Sequence, residues 1–102
     1  MEVIYAGPKI ERFIKDLSEP LGARVEKTID LLVQYGNTLR LPHSKNVGRG
    51  LFELRVLGEI QIRILYTFRK NKAYLLHIFI KKTDRISPKD INYALRIKKL
   101  LV

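Results

Sequence analysis

The sequence predicts an α+β domain over residues 1–102: an N-terminal strand and a helical hairpin on a small, mainly antiparallel sheet of about four strands, plus a C-terminal helix. Three observations carry this. Apolar residues recur at helical spacing between residues 10 and 33. Three β-branched, apolar runs follow between 51 and 81, separated by short polar connections. Ser87-Pro88 then opens a last helical pattern.

The elements follow in order. EVIYA (2–6) reads as a short strand ended by Gly7-Pro8. Ile10, Phe13, Ile14 and Leu17 form the apolar stripe of a first helix, with Pro8 in its first turn. Ser18 caps a second helix, with Glu19 and Pro20 after it; Leu21, Val25, Ile29, Leu32 and Val33 form its buried stripe and Gly36 stops it. Residues 37–50, NTLRLPHSKNVGRG, lack periodicity and read as a loop. Strands are expected at 51–57, 60–68 and 73–81, joined by tight turns at Leu57-Gly58-Glu59 and Arg69-Lys70-Asn71-Lys72. The last helix covers 87–100, with Ser87 as cap, Pro88 first and Asp90 completing a capping box; Ile91, Ala94, Leu95 and Lys98 share one face.

Side chains alternate between the faces of a strand. Phe52, Leu54 and Val56 share the core face with Ile60, Ile62, Ile64, Tyr66 and Phe68; Tyr74, Leu76, Ile78 and Ile80 are expected to join them. The other face then collects Arg55, Arg63, His77 and Lys81, with Gln61 and Phe79 among them. Clustered cations repel one another, and a bound phosphate relieves that repulsion; arginine chelates phosphate with paired hydrogen bonds. Phe79 offers a ring for base stacking. The competing reading is that the arginines pair with Glu53 or Glu59, or lie under the last helix.

The net charge is +10, unevenly placed. Residues 1–39 hold five bases against six acids, 40–82 ten against two, and 83–102 five against two. Such a field attracts RNA, DNA or an acidic protein; the plain alternative is a solvated basic surface. Absent cysteine rules out disulfides and thiolate chemistry and fits a reducing cytoplasm, the expected location. MEVIYAGPKIERF is not read as a signal peptide, and no membrane span is expected. Two histidines 34 residues apart make a weak metal signal, so neither metal nor other cofactor is expected.

The stretches LPHSKNVGRGLFELR, RILY and HIFIKKT, within residues 39–100, resemble the HigB-like, phage-derived branch of the RelE/ParE toxin superfamily. The resemblance implies a RelE-like fold and the toxin of a type II toxin–antitoxin pair. It implies an endoribonuclease that cuts mRNA on the ribosome, and a cognate antitoxin, usually a helix-turn-helix protein. The similar ParE branch inhibits DNA gyrase instead, and that is the alternative. By position, Arg55 matches the basic residue of the first hairpin strand, Arg63 the arginine before the second strand's Ile-Leu-Tyr, and Lys81 or Lys82 the base after the final strand. Glu53 stands where RelE carries a further lysine. RelE's C-terminal tyrosine has no clear match; Tyr93 lies within a predicted helix.

Metal-free RNA cleavage by 2′-OH attack needs a base, cations around the phosphorane and an acid for the 5′-oxygen. Arg55 and Arg63 stay protonated and suit clamping the phosphate. His77 and His43 titrate near neutrality and are the acid–base candidates. Lys45, Lys81 and Lys82 would stabilise charge or donate a proton. Each has a plain alternative: His77 as a packed strand residue, His43 as a loop cap, Lys45 and Arg49 as solvated charges that hold RNA phosphates without catalysis. Lys81 and Lys82 point to opposite faces if the strand continues, so one of them enters the site.

Overall fold

The computed structural model describes residues 1–102. Its elements are β1 (Glu2–Tyr5), α1 (Ile10–Lys15), α2 (Glu19–Tyr35), a 3-10 turn (Gly36–Thr38), β2 (Ser44–Gly48), β3 (Leu51–Val56), β4 (Ile62–Arg69), β5 (Lys72–Ile80) and α3 (Pro88–Lys99). The expected α+β architecture is observed. The sheet has five strands in the order β1-β5-β4-β3-β2, parallel at β1–β5 and antiparallel elsewhere. No helix is long and apolar enough to cross a membrane.

The fifth strand is β2, inside the stretch read as a loop. SKNVG has no apolar alternation because it is an edge strand, exposed along much of its length. Its inward residue is Ser44, whose hydroxyl bonds the Tyr66 phenol at 2.5 Å under the sheet. Gly48, Arg49 and Gly50, all at positive φ, turn β2 into β3. The β4–β5 turn is as expected: Lys70 and Asn71 both take left-handed backbone, the signature of a two-residue hairpin loop.

The sheet is covered on both faces. On one, Ile10, Val25, Ile29 and Leu32 of α1 and α2 pack against Leu54, Val56, Ile62, Ile64, Tyr66, Leu75 and Ile78. On the other, Ala94 and Ile97 of α3 pack against Leu51, Leu65, Leu76 and Phe79. Each Val, Leu, Ile or Phe among them contributes about 1.5–3 kcal/mol when fully buried. Both helix caps hold as read. The Ser18 hydroxyl accepts from the Leu21 amide and the Ser87 hydroxyl from the Asp90 amide.

Four expectations are corrected. The strand register slips between Leu65 and Tyr66, which face His77 and Leu75, so β5 carries an extra residue at Leu76. Strict alternation fails there. Leu75 joins the α1/α2 core, while Tyr74 and Leu76 pack on the α3 side. Second, β4 begins at Ile62; Ile60 is exposed on the preceding connection, and Ile80 is exposed at the end of β5. Third, Val33 of α2 faces solvent while Thr28 is buried, its hydroxyl returned to the Arg24 carbonyl. Fourth, Pro8 lies in the turn before α1, whose cap is Lys9.

The bulge is tied to Gly7. The Ala6 and Gly7 amides both donate to the Leu75 carbonyl at 2.9 Å, carrying the chain close over β5. A Cβ on Gly7 would lie 2.2 Å from the Leu76 carbonyl oxygen. Gly7→Ala is therefore expected to lower stability by about 1–3 kcal/mol, the usual cost of overpacking, read as a shift in the urea midpoint. A second expectation concerns alkaline pH. Burial pushes the Tyr66 phenol above its ordinary value; the Ser44 hydrogen bond and Arg40 only partly oppose this. Tyrosines of the unfolded chain ionise near pH ~10 while buried Tyr66 stays neutral. The stabilisation is thus complete below that pH and is lost as pH rises toward the folded value. Urea titrations at pH 9 and 11 should show a steeper decline for the parent than for Tyr66→Phe.

Candidate active site

Alternation places Arg55 and Arg63 on the α3-side face, directly opposite each other across β3 and β4. Like charges in that arrangement repel. The chain answers with Glu53, two residues before Arg55 on the same face. Its carboxylate lies 3.6 Å from Arg55 Nε, 3.4 Å from Arg63 Nε and 3.8 Å from Lys81 Nζ. Lys45 of β2 sits across the ladder from Glu53. One buried anion thus organises three cations, with a fourth beside it.

The contacts are ionic rather than well-formed hydrogen bonds. Glu53 Oε2, Arg55 Nε and Arg63 Nε are buried with no hydrogen-bond partner. Arg63 is fixed from behind: its Nη1 donates to the Ile62 carbonyl at 3.1 Å and its Nη2 to Gln61 Oε1 at 3.2 Å. The Gln61 carbonyl accepts the Lys81 amide at 2.8 Å, which anchors Lys81 just past the end of β5. Burial lowers the Arg63 pKa, Glu53 pushes it back up, and Arg55 lowers it again; a guanidinium stays charged at neutral pH regardless.

Side-chain exposure separates the roles. Glu53 and Arg63 are 3% and 7% exposed, Lys81 12% and Arg55 30%. A ligand arriving from solvent meets Arg55 and Lys81 first, with Arg63 behind them. The expected pairing of the arginines with Glu53 is therefore present, and the cations still outnumber the carboxylate. Glu59, the other acid considered, is exposed on the β3–β4 connection.

Next to the cluster lies a cavity of about 410 Å³. Lys45, Glu53 and Lys81 form its ionic side, Val47, Ile86 and Ile91 its apolar side, and Asp84 and Arg85 complete it. Residues 84–86 of the β5–α3 connection thus share this lining with Lys45 and Val47 of β2. A smaller cleft on the other side of this connection is lined by Phe79, Ile80, Lys81, Lys82, Thr83, Arg85, Ser87 and Asp90. Arg85 borders both and was not singled out in the sequence; its only signal is a base between the final strand and the Ser87 cap.

Other expected residues lie apart from the cluster. His77 Nε2 is 2.7 Å from Asp90 Oδ1, while Asp90 Oδ2 accepts from the Ser87 hydroxyl at 2.9 Å. The His77 ring packs between Phe79 and Tyr93, with centroids 5.1 and 4.6 Å away. The packed-residue reading of His77 is the one its surroundings match: it fastens α3 to β5. Phe79 is 7% exposed and spends its ring on His77, so the open stacking face expected of it is not there. Tyr93, with Lys9 and Arg96 over its ring, belongs to the same assembly. His43 precedes β2 and lines a hollow with Arg24, Lys27, Thr28, Leu31 and Leu57, on the α2 side. Arg49 sits at the β2–β3 turn, where its carbonyl takes a hydrogen bond from Lys98 near the far end of α3. Lys82 is exposed beside Lys81. No group of three or more His, Asp or Glu side chains is placed to hold a metal.

Removing Glu53 leaves Arg63 buried without its counter-ion. Glu53→Ala is expected to lower stability by about 3–5 kcal/mol, measured by urea denaturation. Glu53→Ala combined with Arg63→Leu should recover part of that loss.

No curated protein matches the chain. Residues 12–99 match the family described as phage derived protein Gp49-like (DUF891), a span running from α1 to the last residue of α3 and containing the whole cation cluster. Membership is compatible with a toxin of the toxin–antitoxin type. The protein belongs to the phage-derived Gp49-like family.

Proposed function

We propose that this chain is the toxin of a type II toxin–antitoxin pair and that it is an endoribonuclease cutting mRNA on the ribosome. The observation that carries the reading is the set of cations around Glu53, of which Arg55 and Lys81 are the more exposed donors. A phosphate oxygen is the natural acceptor for such donors. Family membership and the strongly basic residues 40–82 support the same reading.

Cleavage would proceed by attack of the 2′-OH on the adjacent phosphate, giving a 2′,3′-cyclic phosphate and a free 5′-OH. Arg55 and Lys81 would hold the phosphate oxygens and offset the charge that develops on them. Arg63 would act as a positioning residue through Glu53. With both histidines engaged elsewhere, the Glu53 carboxylate, which lines the adjacent cavity, would be the proton acceptor. Lys81 would donate to the departing 5′-oxygen. Lys45, Lys82 and Arg85 would track the strand on either side, and the increased charge near the phosphate makes binding sensitive to salt. The cognate antitoxin, read as a helix-turn-helix protein, would restrain this activity.

Brief induction followed by mapping of mRNA 5′ ends tests the reading. New ends inside coding regions are expected, and Arg55→Ala should reduce them about 100-fold while the protein stays folded. Arg63→Ala should lose cleavage too, with partial rescue by Arg63→Lys. Intact transcripts on stalled ribosomes would sink the nuclease; DNA-damage signalling with whole transcripts would point instead to a ParE-like gyrase inhibitor. For Glu53→Gln, tighter RNA binding with slower cleavage is expected, because the competing anion and the proton acceptor are removed together. Filter binding and single-turnover cleavage separate the two effects.

A further inference from the structure

The cavity beside the cation cluster has two unlike walls. Val47, Ile86 and Ile91 are half-buried and pack on the same apolar cluster that seats α3. The rest of the lining is ionic: Lys45, Lys81 and Arg85 with Glu53 and Asp84. Its volume, about 410 Å³, lies within the usual range for small-ligand sites. An inorganic anion would use only the ionic wall. An apolar peptide or lipid tail would use the other and leave buried charge facing hydrocarbon, which is costly. A ligand suited to both has a flat, weakly polar body with an anion attached within a few ångströms. That is a nucleotide.

We propose that this cavity is a nucleobase subsite: the base of one RNA nucleotide lies against Val47, Ile86 and Ile91 while its phosphate lies on Lys81 and Arg55. The inference rests on the phosphate-binding reading above and adds what the site does with the rest of the nucleotide. Continuity supports it. Glu53 and Lys81 belong to the cation cluster and to the cavity alike, so a phosphate held there carries its nucleoside to the cavity mouth. Phe79, the ring from which stacking was expected, is occupied by His77, so an aliphatic wall takes its place. The β5–α3 connection supplies Ile86, and the fit of the base then depends on a segment outside the phosphate clamp.

The test is methyl-detected NMR on the whole chain, titrated with 3′-CMP, 3′-AMP, ribose 5-phosphate and inorganic phosphate. Both nucleotides should bind about tenfold more tightly than ribose 5-phosphate and shift the Val47, Ile86 and Ile91 methyls. Ile86→Asn should abolish that advantage and leave inorganic phosphate binding unchanged; unaltered methyl signals from the α1/α2 core would confirm its fold. Equal affinity with and without a base, or unmoved methyls while the Arg55 side-chain signals shift, would overturn the subsite and leave the phosphate reading standing. If neither nucleotide nor phosphate moves the Arg55 signals, both fall.

Discussion

The burial of Glu53 is the constraint on which the rest of this face depends. A carboxylate taken out of water is tolerable only among cations, and cations placed opposite each other across a ladder are tolerable only around an anion. Each makes the other possible. Because Glu53, Arg55 and Arg63 lie on adjacent strands, the pleat fixes their separation before any ligand arrives. The electrostatic balance is deliberately incomplete: one carboxylate faces three cations, and its contacts at 3.4–3.8 Å leave donors and an acceptor unsatisfied. Rigidity and unspent binding capacity thus come from the same group.

The α3-side face is divided between two tasks. One half is closed by Ala94 and Ile97 against Leu51, Leu65, Leu76 and Phe79. The other half stays open around Arg55. His77 and Asp90 mark the border, with Ser87 and Tyr93 completing the join. The β5 bulge belongs to this division. It turns Leu76 toward α3 and Leu75 toward the opposite core, so a single strand feeds both layers, and the glycine at position 7 lets β1 close over the irregular backbone.

What the sequence reveals tracks how local each cause is. Ser18 and Ser87 act within one turn of their helices, and Lys70-Asn71 within one hairpin loop, so their roles are readable without tertiary context. Alternation puts Arg55, Arg63, His77 and Lys81 on one face because β3, β4 and the end of β5 are regular there. It fails for Tyr74 and Leu76 because one inserted residue inverts parity, and nothing in YLLHIF announces the insertion. β2 escapes detection because an edge strand needs few apolar residues. The site shows the same split. Its cations were legible from parity, and Glu53 was legible as their neighbour. Its place at their centre, the engagement of His77 by Asp90, and the approach of Arg85 along a loop all depend on how α3 docks.

The pairing of β1 with β5 has a consequence for synthesis. Glu2 is the ladder partner of Lys72, so the first strand made has nowhere to settle until the last strand emerges. Contacts of such separation form late. Lys81, which completes the charged cluster, comes later still. The growing chain therefore carries an unfinished, open-sided fold until β5 and Lys81 have been made, and the assembled cation face cannot form before then. The topology thus sets the order in which the fold and its cation face can be completed.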